Sequence, residues 1–330
     1  MNLQSKYLGM TLNSPFVLSA SPIGENVENL KRLEDYGVGA VVLHSLFEEQ
    51  LADEQLELEY HLTHGTESFA EATSFFPNYD EFRLGPDQYL EQIHKAKNTL
   101  KVPVIASLNG TSKGGWTKYA KNLQDAGADA LELNIYNVPT DINLDSAQIE
   151  NAYVDIVKQV KSNVNIPVAV KLSPYFTNMA NMLHRMDTAG ADAFVLFNRF
   201  YQPDINLHNY QVDNKVSFST SENNRIAMRW IAIMKNKINA EFAATGGIIT
   251  AQDAAKLILA GANVTQIFAT IARNGMEYVK VLVQELIEFM EEKGYSSIEE
   301  MIGVVSQKNI PNPGSYERAQ YMKTLSNYKF

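Results

Sequence analysis

The stretch "AGADALELNI", Ala126–Ile135, decides the fold. A glycine follows the amphipathic pattern "WTKYAKNLQDA" (116–126), and a short apolar run follows the glycine. Glycine in that place stops a helix by taking the left-handed cap conformation. A run that is apolar at nearly every position suits a strand covered on both faces. The phrase returns as "YGVGAVVLHS" (36–45), "AGADAFVLFN" (189–198) and "AGANVTQIFA" (260–269). Two more runs begin after an Xaa-Pro step, "KVPVIASLNG" (101–110) and "NIPVAVKLSP" (165–174), and "SPFVLSAS" (14–21) and "AEFAATGG" (240–247) complete the set.

These eight apolar runs are mostly followed by helix-period segments, among them 25–36, 87–100, 147–162 and 251–260. Alternating strand and helix implies a parallel sheet, and eight units close an α/β (β/α)8 TIM barrel. The competing open sheet wants a GxGxxG turn after its first strand, and "SASPIGEN" (19–26) is not one. Two connections are longer than the usual strand-to-helix loop: residues 45–86 after the second strand and 198–222 after the sixth. The expected layout is one barrel over 1–303 and a C-terminal extension, 304–330, packed on the barrel or on a neighbouring subunit.

The chain has 330 residues, 45% of them hydrophobic and 20% charged, an ordinary globular composition. A net charge of −10 argues against a nucleic-acid or anionic-membrane surface, which needs a basic face. There are no cysteines, so disulfides, zinc–thiolate sites and iron–sulfur clusters are excluded together. The first residues carry no leader pattern and no stretch is long enough to span a bilayer, so a cytoplasmic protein is expected. "HLTH" (His61, His64) has a spacing that suits metal on a helix, but without a third ligand no metal is expected.

In such a barrel the active site lies at the C-terminal ends of the strands. The glycine pair Gly246-Gly247 follows the seventh strand and Phe268–Thr270 the eighth, where backbone N–H groups can approach a phosphate. Lys171 ends the fifth, apolar strand; a partly buried cation there requires an anion, and it suits a Schiff base or stabilisation of developing negative charge. Asn109, Asn134 and Asn198 end strands three, four and six, and an amide both donates and accepts, which suits the edge of a heterocycle.

Taken in order, "SPFVLSAS", "PVIASLNG", "ADALELN", "NVP", "PVAVKLSPYF", "ATGGIITAQDA" and "GANVTQI" resemble the dihydroorotate dehydrogenase family and its relatives that reduce pyrimidines. The likeness runs from about residue 2 to residue 303. It implies an FMN-binding barrel and, as partners, a small heterocyclic substrate and a second copy of the chain in a homodimer. By position it puts Ala20, Ser21, Ser45, Asn109 and Asn134 around the flavin and Lys171 beside its N1–C2 carbonyl side. Gly246, Gly247, Ala269 and Thr270 would hold the phosphate, and Asn134 and Asn198 the substrate.

The departures concentrate on the substrate half. Where the family has an "LNLSCPN"-like loop carrying the Cys or Ser that removes a proton, this chain has the shorter "LNIYNVP", with Tyr136-Asn137 in its place. His44 replaces a lysine, "EATSFFPN" (71–78) replaces a loop that supplies a substrate-binding asparagine, and "VSFSTSEN" (216–223) replaces a glycine-rich phosphate turn, with Ser219 and Thr220 as substitute donors. Oxidising a CH–CH bond needs a base as well as a hydride acceptor. The expectation is an FMN-dependent oxidoreductase acting on a CH–CH bond of a substrate other than dihydroorotate, with Lys171 stabilising reduced flavin and Tyr136 or His44 handling the proton. A flavin-binding protein without catalysis is the alternative. A phosphate-sugar lyase or isomerase on the same barrel is a third, which the order of motifs disfavours.

Overall fold

The computed structural model describes residues 1–51, 85–111, 114, 116–199, 202–213, 217–317, 321 and 325–326. His61, His64 and residues 71–78 lie outside the described residues. Eight strands form a closed barrel: β1 (Phe16–Leu18), β2 (Ala40–Phe47), β3 (Val104–Gly110), β4 (Ala130–Ile135), β5 (Val168–Leu172), β6 (Ala193–Leu196), β7 (Glu241–Thr245) and β8 (Val264–Ile267). Every neighbouring pair is parallel, and β8 closes on β1 through Thr265–Phe16, Gln266–Val17 and Ile267–Leu18. The helices α1 (Val27–Tyr36), α2 (Pro86–Thr99), α3 (Trp116–Asp125), α4 (Ser146–Asn163), α5 (Met179–Thr188), α6 (Asn224–Met234) and α7 (Ala251–Ala260) follow strands one to seven in turn. After β8 come α8 (Ala269–Asn274), α9 (Tyr278–Lys293) and α10 (Ile298–Met301). The eight-stranded parallel barrel expected from the glycine-and-run pattern is the fold found.

The recurring sequence phrase has a structural cause beyond the helix stop. Two residues after three of the cap glycines, a polar side chain accepts from the first or second N–H of the preceding strand. Asp129 takes that of Val104, Asp192 that of Val168 and Asn263 that of Phe242. The two aspartates also bind a lysine of the preceding helix but one, Lys97 and Lys161, each at 2.7 Å. A strand's opening N–H has no ladder partner at the barrel's bottom rim, and this side chain supplies one. The copy before β2 carries Gly39 instead, because the Ser14 carbonyl occupies the space: a Cβ there would lie 2.1 Å from it.

Side chains alternate in and out along each strand. The outward set packs under the helices in one continuous core. The inward set is layered. At the bottom stand Val17, Ala40, Val42, Ile105, Ala130, Ala169, Ala193, Val195, Ala243 and Val264, sealed from below by the hairpin Ser5–Tyr7 and Met10–Leu12, whose Tyr7, Leu8 and Leu12 are buried. One step higher the same parity brings Ser107, Glu132, Lys171, Thr245 and Gln266 inward. The bore is thus apolar below and polar above, and the polar layer faces the strand C-termini.

Two local expectations change. The second strand does not end at His44-Ser45: after a register shift between Val42 and Ser45 it continues to Phe47, pairing Ser45, Leu46 and Phe47 with Ser107, Leu108 and Asn109. The long connection after β6 contains an antiparallel hairpin, Asp204–Asn206 with Gln211–Asp213. Its turn is set by Asn206, which accepts from His208 N–H, and Asn209, which accepts from Gln211 N–H. Beyond Gly303, Val305 N–H bonds the carbonyl of Leu259 and Gln307 N–H that of Ala232, on α7 and α6. Among the described residues no helix is long and apolar enough to cross a membrane. Gly39→Ala is expected to destabilise the protein by about 2–3 kcal/mol, because the obstructing atoms are backbone and cannot rotate away; urea denaturation checks it.

Candidate functional site

The polar layer of the bore is organised by one carboxylate. Glu132, on the inward face of β4, is 1% exposed. It accepts from Lys171 Nζ of β5 at 3.2 Å and, on its other oxygen, from Gln266 Nε2 of β8 at 2.6 Å. Lys171, itself 7% exposed, therefore has the anion that its burial requires. Sequence reasoning chose Lys171 and passed over Glu132 and Gln266, since each stands alone inside an apolar run. Their shared inward parity with Ala130 and Val264 is the signal that finds them. Beneath the carboxylate lies Tyr7, whose phenol is pushed well above the usual range by burial and then by the charges of Glu132 and Glu241.

Above this layer opens a cavity. Lys171 and Gln266 form its floor, Ser19 and Ala20 one wall, Phe197, Asn198 and Arg199 another, and Thr245, Gly246, Gly247 and Ala269 a third. Ser217, Phe218 and Ser219 close it from the loop after β6. Among the predicted residues, Ala20, Lys171, Asn198, Gly246, Gly247 and Ala269 meet on this one space. Asn134 reaches it indirectly: its Oδ1 accepts from Asn198 Nδ2 at 2.7 Å, so the two amides act as a pair.

The other predicted residues are placed differently. Thr270 is fully buried and its hydroxyl donates to the Ile249 carbonyl, so its side chain ties the β8 end to the loop after β7 and does not line the cavity. Ser45 shares a hydrogen bond of 2.8 Å with Ser107. Asn109 and Tyr136 are half-buried at the ends of β3 and β4 and do not line this cavity. His44 stacks edge-on against Tyr89 at 4.7 Å, and burial lowers its pKa to about 4, so it is neutral at pH 7. Residues that sequence reasoning missed outright are Arg199, Thr245 and Phe197. Arg199 follows a strand end in a loop, and nothing in its immediate neighbours marks it.

The loops after β6 and β7 are locked together. Gly246 and Gly247 have φ of +85° and +74°, and a Cβ on Gly247 would stand 2.3 Å from the Thr220 carbonyl. Only glycine permits both the conformation and the approach. Asn224 Nδ2 donates to the Gly247 carbonyl and to Asp253, and Asp253 also accepts from Ser221, Thr250 and the N–H groups of Ile249 and Thr250. Burial raises the Asp253 carboxyl, but those donors outweigh it and hold the group below the usual carboxylate range.

The residues fit a flat, polar heterocycle bearing an anionic tail. Ser21 Oγ, Gln266 Oε1 and His44 Nδ1 are buried polar atoms with no protein partner, all at the C-terminal end of the bore. Buried polar groups without partners are costly, and a heterocycle with donors and acceptors on its edge would satisfy them. At the cavity's other end the two positive-φ glycines bring backbone close to the surface, as phosphate sites do. Among the described residues no cluster of three or more metal-ligating side chains occurs.

Two outcomes test this description. Lys171→Met should cost about 3–5 kcal/mol in urea denaturation, by stranding Glu132, and adding Glu132→Gln should recover a large part of that loss. For His44, the folded pKa near 4 lies below the unfolded value of 6.5, so the unfolded state binds more protons between them. Its contribution is whole above pH 6.5 and is lost as pH falls to 4. Wild type should lose on the order of 2 kcal/mol more than His44→Gln across that window.

Comparison with known proteins agrees with this geometry. The family model for dihydroorotate dehydrogenase matches residues 81–290. The catalytic subunit of dihydroorotate dehydrogenase B (NAD(+)) from Thermoplasma volcanium is 27% identical over 314 residues, covering 93% of this chain and 99% of the relative. The Methanocaldococcus jannaschii protein of the same description is 26% identical over 319 residues, covering 92% and 98%. NAD-dependent dihydropyrimidine dehydrogenase subunit PreA from Escherichia coli is 25% identical over 335 residues, covering 94% of this chain and 78% of the relative. With its closed eight-stranded barrel and a polar cavity at the strand ends, the chain belongs to the dihydroorotate dehydrogenase family of oxidoreductases.

Proposed function

We propose that the protein is an FMN-dependent oxidoreductase acting on a CH–CH bond of a small heterocycle, with a substrate half altered from the family pattern. The observation that carries this is the Lys171–Glu132 pair at the floor of a cavity whose far wall is the Gly246–Gly247 turn. That spacing suits a mononucleotide with its ring over the bore and its phosphate at the glycines. Ala20, Ser21 and Lys171 would hold the ring, and Gly246, Gly247 and Ala269 the phosphate; Thr270 ties the end of β8 to the loop after β7 behind them. Bound there, FMN supplies a two-electron acceptor or donor for hydride.

The chain's own residues do the rest. Lys171 holds a positive charge at the floor, fixed by Glu132, where negative charge collects on the ring when hydride arrives. Asn134 and Asn198, already paired to each other, present the amide edge that orients the substrate heterocycle. A neutral His44 can accept a proton without first losing one. Tyr136 is the second candidate for the proton, since residues 133–139 contain neither Cys nor Ser. The relatives' names tie them to NAD and describe them as subunits, so the electron partner is sought as NAD(H), directly or through a second chain. The homodimer rests on the family resemblance.

FMN-loaded protein titrated anaerobically with dihydroorotate, and then with dithionite, tests this by visible absorbance. The expected result is little bleaching by dihydroorotate, full bleaching by dithionite, and reoxidation by an unsaturated heterocycle. Lys171→Ala should slow reduction of the flavin by a dihydro-heterocycle, the direction in which hydride arrives on the ring, about a hundredfold or more. Protein that takes up no flavin at all sinks the proposal. A flavin that no heterocycle reoxidises points instead to a binding protein without turnover.

A further inference from the structure

Arg199 lines the cavity, and Arg273 stands on the outer side of the loop that closes it. Arg199 donates from Nη1 to Ser219 Oγ at 3.0 Å and from Nη2 to Ser217 Oγ at 3.3 Å. Arg273 donates to the Phe218 carbonyl at 3.2 Å, with its guanidinium 6.0 Å from the Phe218 ring. Among the described residues no carboxylate pairs with either arginine. Asp253, the acid built into the same loop junction, is committed to Ser221, Asn224, Thr250 and two backbone N–H groups. In a chain of net charge −10, an arginine that faces a cavity and has no counter-charge among the described residues suits an anionic ligand.

The serines sharpen that demand. A guanidinium has donors and no acceptor, so each serine oxygen that receives its proton must turn its own O–H elsewhere. Ser217 and Ser219 both line the cavity, and Ser219 is 7% exposed. Their hydroxyl protons are thereby left available to donate to a ligand in the cavity. The Thr220–Gly247 approach and the Asp253 latch hold this segment against the glycine pair. The polar side chains of this segment that line the space, a guanidinium and two hydroxyls, can all donate to it.

We propose that Arg199, with Ser217 and Ser219, clamps the terminal phosphate of the bound mononucleotide and makes the cavity select phosphorylated over dephosphorylated flavin. This rests on the flavin reading above and adds a side-chain determinant to it. The same donors would suit a substrate carboxylate, and the loop contacts with Gly247 favour the phosphate.

The test is titration of flavin-stripped full-length protein with FMN and with riboflavin, followed by flavin fluorescence, for wild type, Arg199→Gln, Arg199→Lys and Ser219→Ala. Arg199→Gln is expected to weaken FMN roughly ten- to hundredfold, the loss of a charge-assisted contact, and to leave riboflavin within about twofold. Arg199→Lys should recover part of the loss, since it restores charge without the fork, and Ser219→Ala should show a smaller loss on FMN alone. Far-UV circular dichroism keeps misfolded variants out of the comparison. Equal weakening of both flavins, or unchanged FMN affinity, overturns the clamp. So does a variant that binds FMN normally but loses orotate and keeps uracil on the FMN-loaded protein, which would give Arg199 to a substrate carboxylate. Wild-type protein that binds neither flavin overturns the flavin reading and the clamp with it, and is told apart because it appears before any substitution.

Discussion

The pair Glu132–Lys171 sits in the bore of a closed barrel, and most of what lies above takes its bearing from it. Neither charge could be buried alone, and replacing such a pair by apolar side chains is often neutral or stabilising. Its contribution here is orientation. Glu132 has two oxygens and each is taken, one by the neighbouring strand's lysine and one by Gln266 of β8. That leaves the ammonium fixed at the cavity floor and the free oxygen of the Gln266 amide unpartnered. The alanines in the layer below, Ala130 and Ala169 on the same two strands, leave room for this polar layer in an interior that larger side chains would fill.

The cavity has a gradient of chemistry from this floor to its far end. Over the bore are amides and unpartnered polar atoms, which suit a ring with mixed donors and acceptors. Toward the loops after β6 and β7 stand a guanidinium, two serine hydroxyls and the positive-φ glycine pair. On the opposite side, at β2, stands a neutral histidine against the Tyr89 ring. The glycine pair after β7 keeps the pattern of the resemblance, whereas the segment after β6 and the loop after β4 depart from it.

The barrel was legible because its signal is repeated: a cap glycine and a doubly covered run recur, and the repetition outweighs ambiguity in any one copy. The polar residue after three of the glycines was visible too, but its bond to the previous strand joins positions about 21 to 25 apart, beyond any local pattern. Lys171, Asn198 and the glycine pair were found because strand ends fix height on the barrel axis. Azimuth and side-chain direction are not fixed that way, which is why Thr270 turned out to bond inward to Ile249 and Asn109 to stand off the cavity. Glu132 and Gln266 were hidden by a run-based view in which one polar residue among apolar ones carries no weight. Arg199 depends on meeting serines 18 and 20 residues later, a contact that exists only after the loop has folded.

Tyr89 has a consequence of another kind. From α2 its hydroxyl bonds the carbonyls of His44 and Ser107 and receives the N–H of Ser107, while Gln92, one turn on, donates to the Gly24 carbonyl. The chain leaving β2 is thus required to come back to a fixed berth, whatever residues 52–84 do in between. Loop-closure entropy grows only slowly with length. With its return fixed in this way, the connection can be lengthened, shortened or replaced at small entropic cost without disturbing the barrel.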